Sequence, residues 1–388
     1  MKHSSHAKLA KVAKSAVSQF FLGKSALIGY HSNQSEIRSL NSSARVAITN
    51  IMRCLRVTLL VCICLLFVPV VTATDNSFKL DFNGDGRTDI ALYREGSRAG
   101  DIAPQPSYWF FLDTHTHQMF VQQWGRSLDV PAPADYDNDG ITDVGIYRWW
   151  DFETGDTNEW WLSKSAGGHQ VILSYELGYS KFNRNYIGDG RADVGQLYQI
   201  DISQNPGETC FISIYFVADL DRNVIRKTVG DTCNVNPLPV PGDYNNDGRS
   251  EIAVFDNQTF KVWLPPYNSS YTAPDISYVM DIEVPTPGDF DGDGKTDFAG
   301  TKSVEGRMLW RITPSSGGPD IEESFGFATD KQVPGDYDGD NKTDIAVYRP
   351  SDGSWWIRNS ASGEVTCFYY GLSTDTPLAM PAIPFSPN

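Results

Sequence analysis

Oxygen-bearing side chains recur along this chain at a spacing that suits a hard divalent cation. Six nine-residue loops carry them: DFNGDGRTD (81–89), DYDNDGITD (135–143), NYIGDGRAD (185–193), DYNNDGRSE (243–251), DFDGDGKTD (289–297) and DYDGDNKTD (336–344). Carboxylate or amide oxygens fall at loop positions 1, 3, 5 and 9. The expected ligands are Asp81, Asn83, Asp85 and Asp89 in the first loop and Asp135, Asp137, Asp139 and Asp143 in the second. The fourth offers Asp243, Asn245, Asp247 and Glu251, the fifth Asp289, Asp291, Asp293 and Asp297, and the sixth Asp336, Asp338, Asp340 and Asp344. Position 7 varies (Arg87, Ile141, Arg191, Arg249, Lys295, Lys342), as expected if only its main-chain carbonyl is a ligand. The third loop has Asn185 first and Ile187 third, which leaves Asp189 and Asp193 as its carboxylates and predicts weak binding or none.

This donor set selects Ca2+, which takes six to eight oxygens in flexible geometry. Mg2+ prefers a rigid octahedron and keeps its waters. Zinc is disfavoured because the loops hold no Cys or His. Gly at position 6 (Gly86, Gly140, Gly190, Gly248, Gly294) permits the positive φ of the turn, and Asn341 is the best tolerated replacement. A helical EF-hand would need Glu at position 12. Here that position holds Leu92, Ile146, Gln196, Val254, Gly300 and Val347, mostly inside strand-like apolar runs. The expected load is five or six Ca2+ ions.

The elements that position these loops repeat with them. The loops start 54, 50, 58, 46 and 47 residues apart, so each marks one supersecondary unit. A short run, often with Pro (VPAPADY, LPVPGDY, VPTPGDF, QVPGDY), enters the loop. An IALYR-type run leaves it, followed by a turn and an aromatic run: YWFFLD, EWWLSK, CFISIYF, KVWLP, MLWRIT or SWWIRN. A fourth run ends near Trp124-Gly125, Leu177-Gly178, Val229-Gly230, Phe325-Gly326 or Tyr370-Gly371; the fourth unit lacks this pair. Four short antiparallel strands per unit predict an all-β fold, a β-propeller of six four-stranded blades, with seven as the alternative. Trp160-Trp161 and Trp355-Trp356 support blades covered on both faces, because neighbours in a strand point to opposite sides. Residues 376–383 align with a further entering strand without a loop, and are expected to close the ring beside residues 78–80.

The loop followed by IAVYR, and preceded by a Gly-bearing strand end, resembles the FG-GAP and VCBS-type repeats. It is similar to the calcium blades of integrin α-chain propellers, over residues 78–380. The resemblance implies extracellular recognition: adhesion, carbohydrate binding or assembly with other surface proteins. Propellers of this kind are commonly seven-bladed, and fold alone does not fix function.

Charge and compartment agree with such a role. The 388 residues carry a formal charge of −16, and 20 of the 48 acids are loop ligands. That balance argues against nucleic acid, whose phosphates need a basic footprint. Residues 52–73 read as a secretory signal peptide: Arg53 and Arg56, an apolar run, then Val71-Thr72-Ala73. The basic, Ser-rich 1–51 is expected to lie outside the fold, either because translation starts at Met52 or as the tail of a signal anchor. The mature protein, residues 74–388, is then secreted or at the cell surface, with the periplasm also open and no membrane insertion after cleavage. Cys210 and Cys233 flank two strand-like runs and should face each other across a hairpin, within reach of a disulfide. Cys367 reads as a small buried apolar residue.

No catalytic signature competes. His115 and His117 have no accompanying ligand pattern and read as a solvated turn. Neither G-x-S-x-G nor H-E-x-x-H occurs. Trp149, Trp150 and the acids of 151–156 suit either sugar stacking or packing between blades. The expected function is non-enzymatic recognition of an extracellular glycan or protein. A polysaccharide lyase or glycosidase, or a structural module of an envelope complex, are the alternatives.

Overall fold

The structure is a computed structural model that describes residues 79–97, 104–148, 159–173, 180–201, 210–221, 224–233 and 237–379. The extension 1–51, the segment 52–73 and the insertion at Trp149 and Trp150 with residues 151–156 lie outside the described residues.

The chain forms six four-stranded antiparallel sheets. The first unit supplies β1 (Ile90–Arg94), β2 (Pro106–Leu112) and β3 (Met119–Arg126). The second runs through β4 (Val130–Pro131), β5 (Val144–Arg148), β6 (Glu159–Ser163) and β7 (His169–Leu173). The third is β8 (Ser180–Arg184), β9 (Asp193–Asp201), β10 (Cys210–Ala218) and β11 (Val224–Cys233). The fourth is β12 (Leu238–Pro239), β13 (Ile252–Asp256), β14 (Thr259–Trp263) and β15 (Ile276–Val279). The fifth is β16 (Val284–Pro285), β17 (Phe298–Val304), β18 (Arg307–Thr313) and β19 (Ile321–Phe327). The sixth is β20 (Lys331–Gln332), β21 (Ile345–Arg349), β22 (Ser354–Arg358) and β23 (Val365–Tyr369). The last strand, β24 (Thr376–Leu378), returns to the first sheet and pairs with β1, Ala91 opposite Leu378. The described residues therefore form a six-bladed β-propeller whose first and last strands share one blade. The closing strand pairs with β1, and the carbonyl of Leu80 accepts the Asp89 N–H at 2.7 Å just before β1.

Blade position explains burial. The strands leaving the acidic loops, β1, β5, β13 and β21, are buried along nearly their whole length, as both faces meet neighbouring blades. The outer strands β15 and β23 alternate between exposed and half-buried. Cys367 lies on β23 and is exposed, contrary to the sequence reading, because an outer strand turns alternate residues to solvent.

Six apolar clusters fill the seams between adjacent blades. Trp160 sits in the seam with the third blade while Trp161 packs on the seam with the first. Trp355 and Trp356 divide their contacts the same way, the former fully buried and the latter half-buried. Each fully buried indole contributes on the order of 3–5 kcal/mol relative to Ala.

The aromatic–Gly pairs are bulges that receive these indoles. Nε1–H of Trp109, Trp310 and Trp355 donates to the carbonyls of Trp124, Phe325 and Tyr370 at 3.0, 3.0 and 2.9 Å. The following glycines, Gly125, Gly326 and Gly371, have φ of 92°, 95° and 117°. Strand pairing shifts register across the first two of these pairs.

At the end of the strand leaving the loop, an Arg ties each of three blades to the turn before an inner strand. Arg94, Arg148 and Arg349 pair bidentately with Asp375, Asp129 and Asp330 at 2.6–3.1 Å. The Arg94–Asp375 pair joins the first blade to the last turn of the chain.

Hairpin β10–β11 pairs Cys210 directly opposite Cys233. His115 and His117 belong to the turn between β2 and β3, where Asp113 accepts the His115 N–H at 2.7 Å.

Candidate metal centres on a girdle of loops

All six acidic loops fold alike because the first side chain organises the backbone around itself. Oδ1 of residue 1 accepts the N–H of residue 4 in every loop, at 2.6 Å from Asp81, Asp135, Asp243, Asp289 and Asp336 and 2.7 Å from Asn185. Where residue 1 is Asp, Oδ2 accepts the N–H of residue 6 at 2.7–2.9 Å. Residue 6 has positive φ throughout, Asn341 included at 66°. Residue 4 does too, whether Gly84 at 78° or Asn138 at 62°; the sequence reading missed this requirement.

The carboxylate at position 9 locks the loop from the other end. It accepts the N–H of residue 2 in all six loops, at 2.7–2.8 Å. These groups are buried, and burial is the main reason Asp89, Asp193, Asp297 and Asp344 are pushed up to about 7, Asp143 to about 6 and Glu251 to about 8. Neighbouring loop carboxylates add to the rise. A buried, crowded set of carboxylates is stabilised as anions by a divalent cation.

Among the described residues, four loops bring three carboxylates within 4.8 Å of one another: Asp135, Asp137 and Asp143; Asp243, Asp247 and Glu251; Asp289, Asp291 and Asp297; Asp336, Asp338 and Asp344. Two further observations fit a cation. Oδ1 of Asp137 and Oδ1 of Asn245 are buried without a hydrogen-bond partner. The donors are all hard oxygens, consistent with Ca2+. When bound, the ion would supply charge neutralisation and cross-linking of each loop.

The sequence predicted five or six ions, and the geometry gathers four triads. In the first loop Asn83 supplies no charge at position 3, and its Nδ2 donates to Asp89 Oδ1 at 3.3 Å, so Asp81, Asp85 and Asp89 form no such triad. The fourth loop also has an amide there, but Glu251 is one methylene longer and reaches into the group. In the third loop Ile187 contributes nothing, and an internal cation takes over: Arg191 Nη2 joins Asp189 at 2.5 Å to Asp221 at 2.6 Å.

Position 5 also departs from expectation. Asp139, Asp293 and Asp340 stand outside the triads and accept the hydroxyls of Ser165, Ser315 and Ser360 at 2.7–3.0 Å. These serines sit in the turn after the third strand of their blades, and their N–H groups reach Asp143, Asp297 and Asp344 at 2.5–2.6 Å. The only sequence signal was a Ser beside a Gly-bearing turn (SKSAGG, PSSGG, NSASG).

The loops are linked to each other. The N–H of residue 8 donates to the carbonyl of residue 1 of the preceding loop: Thr142 to Asp81, Ala192 to Asp135, Ser250 to Asn185, Thr296 to Asp243 and Thr343 to Asp289, at 2.6–2.8 Å. Thr88 closes the circle onto Asp336 at 2.7 Å. Side chains at position 7 reinforce the girdle. A Cβ on Gly84 would lie 3.1 Å from Ile141, one on Gly339 3.1 Å from Arg87, and one on Gly292 2.9 Å from Lys342.

Residues 243–299, from the fourth loop through the fifth and into β17, match the FG-GAP-like repeat. The chain carries an FG-GAP-like repeat. No curated protein matches the chain. The FG-GAP-like segment contains two of the four triads, and the same loop geometry recurs outside it around the propeller.

Proposed function

We propose that this chain is a secreted, calcium-binding propeller that acts by recognition and not by catalysis, presenting a rigid surface to a carbohydrate or protein outside the cell. The observation that carries this reading is the girdle: four carboxylate triads at equivalent places on loops hydrogen-bonded into a closed circle. The position 9 carboxylates are committed to their own backbone N–H groups. They hold loops in place and are poorly disposed to exchange protons with a substrate. Calcium at such loops serves the scaffold. Secretion is supported by the signal-like segment 52–73, and it supplies both millimolar calcium and an oxidising compartment in which Cys210 and Cys233 bridge.

The test is to express the full-length chain, collect the secreted form and present it to glycan and surface-protein arrays with calcium and with EDTA. Calcium-dependent retention without change in the ligand is expected. Release of new reducing ends or unsaturated products from a polysaccharide would replace this reading with the enzymatic one.

A further inference from the structure

The repeat is broken at two neighbouring places, and both breaks face one cavity. The first is Ile187, where the second, fifth and sixth loops have Asp and the first and fourth have Asn. The second is the connection after β14. It runs over residues 264–275, whereas the equivalent connections after β2, β6, β18 and β22 span only 113–118, 164–168, 314–320 and 359–364. The longer segment crosses to the third blade and is fastened there: Lys227 Nζ donates to the Ser270 carbonyl at 2.9 Å and to Thr272 Oγ1 at 2.7 Å, and Thr228 Oγ1 donates to the Ser269 carbonyl at 3.0 Å. Between them lies a cavity of about 650 Å³. That volume is in the range of natural ligand sites.

Its walls have a definite chemistry. Ile187, Ile225, Val224 and the Pro265-Pro266 pair make them largely aliphatic. Two guanidinium groups, Arg226 and Arg249, stand at the lining of a chain whose net charge is −16. The guanidinium carbon of Arg226 lies over the Phe216 ring, 4.4 Å from its centroid. Arg249 lies along the third loop, so close that a Cβ on Gly188 would sit 2.3 Å from its Nε. Between the fifth and sixth loops the position 7 cation faces a carboxylate at position 3 of the preceding loop: Lys342 lies along the fifth loop beside Asp291. For Arg249 the facing residue is Ile187, so its charge meets no loop carboxylate there.

The third wall is β11, the outer strand of its sheet, whose outer side pairs with no strand among the described residues. An edge strand can add an extended peptide by main-chain pairing. A sugar fits less well. The polar groups of the lining are few, and the Tyr267 hydroxyl already accepts the Ile252 N–H at 3.3 Å.

We propose that this cavity binds an extended peptide segment in which a carboxylate stands beside a large apolar side chain, the carboxylate on Arg249 and the apolar group against Ile187, Ile225 and Pro265. The site deepens the reading of the propeller as a binding module and rests on it.

The experiment uses the full chain, calcium-loaded, on an array of end-blocked octapeptides pairing one acidic with one large apolar residue, with the acid-to-amide versions and oligogalacturonate alongside. Retention of acid–apolar peptides over their amide versions is expected, with millimolar or better affinity by calorimetry. Arg249→Gln should weaken the best binder about tenfold or more, since it removes one partner of a charge pair. Ile187→Asp, which supplies the counter-charge that Asp291 gives Lys342, should weaken it too. Arg87→Gln, the same change at the same position of the first loop, should leave affinity unchanged. The proposal is overturned if no peptide is retained, if Arg249→Gln and wild type bind alike, or if only oligogalacturonate binds. Retention of another ligand by the Arg249→Gln protein would sink this site while leaving the wider reading intact.

Discussion

The amide of Thr88 donates to the carbonyl of Asp336 at 2.7 Å, and this bond makes the six loops a closed circle. The other five links run forward along the chain from one loop to the next. This one joins the last loop back to the first. Lys79 crosses the same seam, its ammonium reaching Asp336 Oδ2 at 2.7 Å, the Gly86 carbonyl at 2.9 Å and Asn341 Oδ1 at 3.0 Å. Closure at the loops accompanies closure at the strands, where β24 pairs with β1.

Calcium should raise the melting temperature of the secreted chain and EDTA should lower it, because an ion that binds the folded state stabilises it by mass action. Asp291→Ala removes a triad member and should reduce bound calcium by one ion, measured by calorimetry or elemental analysis. Asp293→Ala should cost less affinity, because that side chain is engaged by Ser315. Equal stoichiometry in the Asp291 variant and wild type would refute the assignment.

Without metal, stability should fall as pH rises from about 4 to 8. The position 9 carboxylates have folded-state values raised above their ordinary range, to about 7 for Asp297 and Asp344 and about 8 for Glu251. The folded state therefore holds protons that the unfolded chain has released, and that advantage disappears as pH passes through the raised values. Scanning calorimetry in EDTA at pH 5 and pH 8 should give the higher melting temperature at pH 5. Excess calcium should flatten or invert the trend, because it favours the anions.

Gly371→Ala should destabilise the sixth blade by about 1–3 kcal/mol. Its φ is 117°, and an added Cβ would lie 2.6 Å from Leu92 Cδ1. Gly363→Ala, also at positive φ but with open space around it, should cost less. Urea denaturation of the two variants separates collision from backbone strain.

Removing residues 375–388 should open the ring. It deletes β24 and the carboxylate that pairs with Arg94, so β1 loses its inner partner and the Leu80 seam loses Leu378. The truncated protein should melt earlier and less cooperatively, with hydrogen exchange accelerated first in β1. Unchanged protection of Ile90–Arg94 would contradict the closure.

A peptide map of the secreted protein without reductant should recover Cys210 joined to Cys233 and Cys367 as a free thiol. The register opposes the first two, and the third is exposed on an outer strand.

Much of this was legible from residue order. Six loops of one pattern, each followed by an apolar run, an aromatic run and in most units an aromatic–Gly pair, determined the blade and favoured six over seven, because alternation and turn chemistry are local properties. The same pattern marked which side chains gather oxygen, and Ile187 marked the loop that departs. Tertiary structure decided the rest, because it depends on which segments meet. Residue order did not reveal that Ser165, Ser315 and Ser360 lie over the acidic loops, since a hairpin turn 16 to 22 residues downstream of the loop's last carboxylate reaches it only when the blade folds. Nor did it place Cys367 on an outer edge. The meeting of Ile187, Arg249 and the 264–275 connection around one cavity belongs to the packing of the third blade against the fourth, which no single repeat encodes.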